Sequence, residues 1–312
     1  MPRPLSKIRL LRPASTPDWQ AYQALRWAIL RAPWLPGQSP QIEPQGAAAD
    51  VDHVIAKNDT NEVVGCGRIH WLGQGRAQIR AMAVATAYQG SGLGRMIMQH
   101  LETLARGRGV DMLILQAREH SIAFYQRCGF QVTGPGETLF GTIDHQWMSK
   151  ALDCHDFSGF ELKRRAATDS DATLLADFVF EILASYGLAP ERDGIDRDLE
   201  RPASHYAGGF FDLLFDHDNT LAASCALLSQ GDGQAELRRM YLAPAWRGRG
   251  LGRACLGHAL AWARTHGFDT ISLETASVLT EARALYQWAG FTPQPGHMAA
   301  QRCDLRLVLS NA

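Results

Sequence analysis

The sequence has no long apolar run. Its hydrophobic stretches fall short of the roughly 20 residues that a membrane-spanning helix needs, and Met1–Leu5 lacks the apolar core of a signal peptide. We therefore expect a cytoplasmic protein that does not enter a membrane. Neither sign of charge dominates, since the sequence has 31 Lys and Arg residues and 32 Asp and Glu residues, for a net charge of −1. Without a broad positive field, nucleic acid and anionic lipid are not expected partners.

Cysteine is also sparse and scattered. The six cysteines form no Cys-x-x-Cys pair, and most stand among apolar neighbours. This pattern is typical of reduced, partly buried thiols in the cytoplasm. Clustered Cys and His spacing of the kind that holds zinc is missing, so we expect no metal site.

What the sequence does contain is an internal repeat. A glycine-rich segment at residues 89–95 returns at residues 247–253, an offset of 158 (89 to 247). A Tyr-x-x-x-Gly-Phe motif at residues 125–130 returns at residues 286–291, an offset of 161 (125 to 286), so three residues are inserted between the landmarks. A repeat of this length is too long for a solenoid and right for a domain.

The repeat predicts two domains, at residues 1–153 and 159–312, joined by a short polar stretch. In each half, strands separated by turn residues come first and strand–helix units follow. The first half includes a helical pattern from Asp18 to Leu30, and in the second half Ser170 or Asp171 is the expected cap of the first helix. This order predicts a mixed α/β fold, α+β-like, with a partly antiparallel sheet in each half.

Each glycine segment follows a strand and opens a helix, which suits a phosphate site. Glycine lets the backbone approach a ligand closely, and a helix N-terminus presents unbonded N–H groups. Neither copy has the Gly-Lys-Ser/Thr of a Walker A loop. The Rossmann pattern Gly-x-Gly-x-x-Gly also fails, since its last position is Arg95 or Arg253.

Both copies instead match Gln/Arg-x-x-Gly-x-Gly, and each half adds an apolar triplet before the loop and the Tyr-x-x-x-Gly-Phe motif after it. Taken together, and taken twice, these motifs make the chain resemble the GCN5-related N-acetyltransferase (GNAT) superfamily over nearly its whole length. The resemblance implies two tandem domains, each a mostly antiparallel, splayed sheet flanked by helices. It also implies an acyl-coenzyme A ligand, expected to be acetyl-CoA.

By the same resemblance, N–H groups of the loop hold the coenzyme A pyrophosphate, and the freed backbone of the preceding strand holds the pantetheine arm. Arg95 and Arg253 either add phosphate contacts or are solvated helix arginines. The positions carried over from the family motif are, in the first half, Met82, Ala83, Val84, Gln89, Gly90, Ser91, Gly92, Leu93, Gly94 and Arg95, and, in the second, Met240, Tyr241, Leu242, Arg247, Gly248, Arg249, Gly250, Leu251, Gly252 and Arg253.

The resemblance also supplies a candidate general base. Glu236 stands eleven residues before Arg247, on the strand that leads to the loop, where the family often places a base glutamate. The alternative is a solvent-facing strand glutamate or a structural partner of Arg238. The matching residue in the first half is Gln78, whose amide cannot act as a base. A water relay, His145 or no base at all are the alternatives there, and a hydrogen-bonded strand histidine is the favoured interpretation of His145.

Tyr125 and Tyr286 match the tyrosine that protonates the leaving thiolate in this family, the alternative being a packing aromatic. Acidic residues from Asp193 to Asp198 either attract a cationic amine or form a solvated acidic helix. We expect an acyl-CoA-dependent N-acetyltransferase acting on a small-molecule amine, with the C-terminal half the more active. A protein lysine or N-terminal acetyltransferase, and a non-catalytic acyl-CoA sensor in one half, are the alternatives.

Overall fold

The computed structural model describes residues 5, 7–35, 37–38, 50–139 and 141–310. The chain divides into two compact units, Met1–Ala105 with Val110–Leu152, and Asp153–Ala312 with the short segment Arg106–Gly109. Each unit contains one seven-stranded mixed sheet with flanking helices, which confirms the predicted α/β fold class. The boundaries at residues 153 and 159 stay predictions. None of the helices in the described ranges has the length and apolar character that crossing a bilayer requires.

The first unit has the sheet order β1-β2-β3-β4-β5-β7-β6. Helix α1 begins earlier than the pattern predicts, because the Ser15 hydroxyl accepts a hydrogen bond from the Asp18 N–H and Pro17 occupies the first turn. In chain order, the elements are β1 (Arg9–Leu11), α1 (Thr16–Leu30), β2 (Val51–Lys57), β3 (Val63–Gly73), β4 (Arg76–Val84), α2 (Leu93–Gly107), β5 (Met112–Arg118), α3 (Glu119–Arg127), β6 (Gln131–Pro135) and β7 (His145–Ala151).

The second unit has the sheet order β8-β9-β10-β11-β12-β14-β13, which repeats the order of the first strand for strand. Its elements are β8 (Lys163–Ala166), α4 (Ala172–Ser185), α5 (Pro202–His205), β9 (Phe210–Phe215), β10 (Leu221–Gly231), β11 (Gln234–Leu242), α6 (Leu251–Thr265), β12 (Thr270–Thr275), α7 (Thr280–Ala289), β13 (Thr292–Pro293) and β14 (Leu305–Ser310).

Helices cover both faces of the second sheet. Successive strand residues point to opposite faces, so Leu214 and Cys225 pack in the cluster with α6, whereas Leu213 and Ala226 pack in the cluster with α4. Asp171 stands at the N-cap of α4, as predicted, but its carboxylate bonds back to Thr168 and Arg165 and not to the helix.

The three-residue insertion in the second half lies between a strand and a helix. Helices α2 and α6 are both 15 residues long, so the offset between the two halves does not change within them. Strand β5 then runs directly into α3 at Glu119, whereas the segment 276–279 separates β12 from α7. The insertion therefore changes the surroundings of the strand ends in the second unit only.

Candidate active sites

In each unit the strand that precedes the glycine loop separates from its parallel neighbour. Strand β4 pairs with β5 only over Arg76–Ile79, and β11 pairs with β12 only over Gln234–Glu236. Within the described chain, the ends Met82–Val84 and Met240–Leu242 have no ladder partner on that side. Backbone groups in these gaps are available to an extended ligand, since each needs a hydrogen-bond partner.

A β-bulge accompanies each separation. In the ladder between β3 and β4, the register shifts between Cys66 and Arg68. In the ladder between β10 and β11, it shifts between Ser224 and Ala226. The extra residue on each bulged strand has a left-handed backbone, with φ of 53° at Ala81 and 52° at Arg239. A bulge bends its strand, so it turns the strand end away from its neighbour, as the resemblance implied.

The glycine loops have the backbone that close ligand approach requires. Gly90 and Gly92 have φ of 74° and 93°, and Gly248 and Gly250 have φ of 72° and 88°, a region that favours glycine. A Cβ atom added at Gly90, Gly248 or Gly250 would meet nothing within 4 Å, so these positions border open space. Among the described residues, the N–H groups of 248–250 meet no acceptor. This arrangement fits a pyrophosphate at the start of α2 or α6.

Two of the loop positions carried over from the family act through their side chains to hold the loop in place. Gln89 Nε2 donates to the carbonyl oxygen of Val84 at 3.1 Å, and Arg247 Nε donates to that of Leu242 at 3.2 Å. Val84 ends β4 and Leu242 ends β11, so in both halves the same kind of side-chain hydrogen bond ties the loop to the end of the preceding strand. Arg247 also donates to the Tyr186 hydroxyl at 3.0 Å.

The arginines that open the helices differ in their contacts. Arg95 is exposed, whereas the Arg253 guanidinium lies 4.7 Å from the centre of the Trp288 ring. Stacking on an aromatic face is a common arginine contact. A phosphate contact stays a prediction for both residues.

Glu236 lies on β11 at the mouth of the gap, and its side chain is 11% exposed. Oxygen Oε2 accepts hydrogen bonds from Arg238 Nη2 at 2.7 Å and from Gln230 Nε2 at 2.9 Å. The ion pair with Arg238 that the sequence suggested is therefore present. Within the described residues Oε1 has no hydrogen-bond donor, so this oxygen can still receive a proton.

The first unit lacks an equivalent carboxylate. Gln78 occupies the matching position on β4, opposite Ile114 of β5. His145 is buried at the start of β7, and its Nδ1 donates to the carbonyl oxygens of Ile143 at 3.0 Å and Glu137 at 3.2 Å. These contacts are those of a structural histidine, the interpretation favoured from the sequence.

Tyr125 and Tyr286 lie on α3 and α7 and pack against the phenylalanine of the following Gly-Phe, Phe130 and Phe291. Tyr286 is 7% exposed and Tyr125 is half-buried. Burial raises the pKa of both phenols, which therefore keep their protons at neutral pH. A protonated phenol can act as an acid, although the same packing suits a structural aromatic.

Two of the acidic residues between Asp193 and Asp198 fit neither sequence-based alternative. Asp196 and Asp198 are buried in ion pairs with Arg239, the bulge residue of β11, at side-chain exposures of 0% and 1%. Asp196 also binds Arg302. Burial works against the charged form of Asp196, but the hydrogen bonds from Arg302 and Arg239 outweigh it and lower its pKa. These carboxylates hold the bulge in place and are not open to an amine or to water.

A cavity of about 70 Å³ lies beside Glu236 in the second unit. Its walls come from β11, the end of β12, the insertion after β12 and the segment before β14. Another acid there, Glu274, accepts hydrogen bonds from the N–H groups of Ala299 and Ala300 at 2.9–3.1 Å. The lining residues are Leu183, Leu188, Ile195, Glu236, Leu237, Arg238, Arg239, Tyr241, Glu274, Thr275, Ala276, Leu279, Ala300, Arg302 and Cys303.

Sequence reasoning missed most of this wall. Arg302, Cys303 and Glu274 belong to no motif. Glu274 reaches the cavity because β12 lies beside β11, and Arg302 and Cys303 reach it because β14 lies beside β12. The one available signal was the three-residue insertion within 276–279, which an internal alignment of the halves locates near the strand end.

Comparison with known proteins places these features in a family. The Acetyltransferase (GNAT) family model matches residues 19–130 and 176–291. The uncharacterized N-acetyltransferase YjgM of Escherichia coli K12 is 29% identical over 133 residues, covering 41% of this chain and 80% of that protein. Mycothiol acetyltransferase of Beutenbergia cavernae is 38% identical over 82 residues, covering 26% of this chain and 28% of that protein.

Among solved structures, a GNAT-family acetyltransferase from Staphylococcus aureus Mu50 aligns with a TM-score of 0.46 at 18% identity, covering 48% of this chain and 99% of that chain. The family assignment depends on the family model, which matches once in each half and spans most of the chain. The resemblance inferred from the motifs is confirmed. The chain belongs to the GNAT family of N-acetyltransferases, with one copy of the family's domain in each half.

Proposed function

We propose that the C-terminal half transfers an acetyl group from acetyl-CoA to the primary amine of a small molecule, with Glu236 as general base. One observation carries this proposal. Arg238 and Gln230 hold one oxygen of Glu236, the other oxygen lacks a donor among the described residues, and the residue lines a cavity. The first half keeps its glycine loop but has Gln78 at the same strand position.

The backbone of the second unit supplies the binding site for the acyl donor. Enzymes of this family use acyl-CoA, which provides an activated thioester. The unpaired edge at Met240–Leu242 offers N–H and C=O groups to the pantetheine arm. The loop at 248–250 and the positive end of the α6 dipole favour the pyrophosphate.

Side chains supply the proton transfers. Glu236 Oε1 accepts the proton that the attacking amine loses, because only a neutral amine is nucleophilic. Tyr286 returns a proton to the departing sulfur. Its buried phenol keeps that proton at neutral pH, because burial raises its pKa. The small cavity beside Glu236 supports a small acceptor over a peptide chain.

Thiol release from acetyl-CoA, measured across a panel of amines, polyamines, amino acids, aminoglycosides and peptides, tests this function. We expect turnover with at least one small amine. General base catalysis contributes about 10²–10⁴-fold, so Glu236→Gln should lose a rate factor of that order while keeping its affinity for acetyl-CoA. Gln78→Ala, the matched change in the first half, should leave the rate near wild type.

Separate loop variants assign the active half. Gly250→Leu places a side chain where the backbone must approach the ligand and should abolish turnover, whereas Gly92→Leu should keep it. The opposite result would show that the halves are assigned the wrong way round. A chain that binds acetyl-CoA but releases no thiol with any amine would be a sensor, and transfer to peptides alone would indicate protein acetylation.

A further inference from the structure

The cavity beside Glu236 contains a second group with unused hydrogen-bonding capacity. Arg238 lies two residues further along β11, on the same face of the strand as Glu236, and its side chain is 16% exposed. Its Nη2 binds Glu236, but its Nε is buried without a hydrogen-bond partner among the described residues. Its Nη1 is not enclosed in the same way and also meets no acceptor among the described residues. A donor without a partner is costly when it is desolvated, so a ligand that enters the cavity lined by Arg238 must bring an acceptor.

The other two arginines of the cavity have their acceptors. Arg239 donates to Asp196 and Asp198 at 2.5–3.0 Å. Arg302 donates to Asp196 at 2.7 and 2.9 Å. Among the described lining residues, Arg238 is therefore the arginine that keeps donors for a ligand.

The free groups of this cavity thus form an adjacent pair of opposite character. Glu236 Oε1 accepts a proton or an ammonium hydrogen bond, and Arg238 Nη1, which meets no acceptor among the described residues, donates to an anion. Because the guanidinium touches the Glu236 carboxylate, the two free atoms lie within a few ångströms of each other. This spacing suits an amine and a carboxylate on the same carbon, and carboxylate is the anion that a guanidinium binds best among small organic groups.

The charges on the cavity wall also disfavour the main alternative acceptors. Glu236 is already ion-paired with Arg238, and both oxygens of Glu274 accept hydrogen bonds from the N–H groups of Ala299 and Ala300. A polycation such as a polyamine or an aminoglycoside would meet the Arg238 guanidinium without enough carboxylate to offset it. A zwitterion adds no net charge to the site and finds a partner for each of its own charges.

We propose that the acceptor is an amino acid, whose carboxylate is bound by Arg238 while its amine faces Glu236. This inference rests on the proposed function and narrows its substrate. As the acceptor carboxylate binds, Arg238 shares its donors between it and Glu236, so binding also brings the base and the amine together. Arg238 is then the residue that determines specificity and Glu236 the one that moves the proton.

Paired substrates test the inference. The kcat/KM for thiol release from acetyl-CoA is measured for the protein amino acids and for their primary amides, which keep the side chain and lose the carboxylate charge. We expect at least one amino acid to be preferred over its amide by about tenfold to hundredfold, the range for a hydrogen bond to a charged group. The amide has the more easily deprotonated amine, so this preference runs against intrinsic reactivity.

Variants then assign the preference to one side chain. Arg238→Gln should bring the acid-to-amide ratio close to one, and Arg238→Lys, which keeps the charge but loses the planar fork, should retain part of it. Arg80 is the matching residue on β4 of the first half and is exposed, so Arg80→Gln should leave the ratio unchanged. A structural role for Arg238 would instead lower both rates together and leave the ratio intact.

A binding measurement provides a readout that is independent of turnover. Calorimetric titration of the same amino acid and amide, with coenzyme A present, should show the preference in Kd and its loss in Arg238→Gln. The inference is overturned if the wild type gives the acid and the amide equal kcat/KM and Kd values, or if the acid-to-amide ratio is unchanged in Arg238→Gln. Either result leaves the proposed function standing. No transfer to any amine contradicts the proposed function itself.

Discussion

Arg239 holds a left-handed backbone that an arginine adopts only at a cost. The matching bulge residue in the first half is Ala81, and the two φ angles are 52° and 53°. This conformation costs an L-residue roughly 1–2 kcal/mol, whereas glycine loses about 0.5–1 kcal/mol through its greater freedom when unfolded. Replacing Ala81 by glycine should therefore change the free energy of unfolding by about 1 kcal/mol or less.

Arg239→Gly should behave very differently. The guanidinium is 3% exposed and binds both carboxylates of the buried network. Without it, the hydrogen bond from the Tyr206 hydroxyl is the one that Asp198 keeps from the described side chains, while Asp196 keeps Arg302. Removing one partner of a buried ion pair costs about 3–5 kcal/mol. After about 1 kcal/mol of backbone relief, a net loss of about 2–4 kcal/mol remains, a large share of a typical 5–15 kcal/mol.

Hydrogen exchange in low denaturant measures this contrast unit by unit, because peptides from each half report their own opening free energies. Arg239→Gly should lower protection in β11 and in the segment Ile195–Leu199, to which the network ties it. Ala81→Gly should leave β4 near wild type. If the two variants lose protection equally, the side-chain contacts of Arg239 are not what maintains the strained bulge, and the account of this network is wrong.

Three further outcomes are expected. Calorimetry with acetyl-CoA should give two sites per chain, and Gly92→Leu and Gly250→Leu should each remove one; one equivalent bound by the wild type at high ligand concentration would contradict this. Tyr286→Phe should keep coenzyme A affinity and slow turnover, whereas an unchanged rate when chemistry is limiting would mean a packing role. The hydrogen bond from Arg165 lowers the pKa of Asp171 when folded, so its stabilising effect is present above the unfolded pKa of about 4 and fades as pH falls through the folded value. Urea titrations at several pH values should therefore show the deficit of Asp171→Asn shrinking in acid, and a deficit independent of pH would refute this.

The two domains and their glycine loops could be predicted from the sequence, because the backbone geometry of such a loop requires glycine at particular positions. Left-handed glycines, a helix start and a strand end leave a signature within a few consecutive residues, as at Gly248 and Gly250. The pairing of Glu236 with Arg238 was also predictable, since alternate residues on a strand share a face. These features depend on neighbours in the sequence.

The acceptor side depends on contacts between residues far apart in the chain, which a single sequence does not reveal. Asp196 and Asp198 look like a solvated acidic run until the fold brings Arg239 against them. Glu274 joins the cavity because β12 lies beside β11, and Arg302 joins it because β14 returns to lie beside β12. Charge patterns of this kind gain meaning only once the partner across the fold is known.

This difference explains why the two halves are alike in one respect and unlike in another. A ligand held by backbone N–H and C=O groups constrains glycines and strand separation but tolerates most side-chain changes, and both halves keep those constraints. An acceptor recognised by side chains constrains single positions, and at these positions the halves differ. Gln78 corresponds to Glu236, and Ala81 corresponds to Arg239. The strand runs directly into the helix in the first half, whereas the segment 276–279 separates them in the second. The proposed arrangement, with two coenzyme A sites and one acceptor cavity, is the one that such unequal constraints would leave after a duplication.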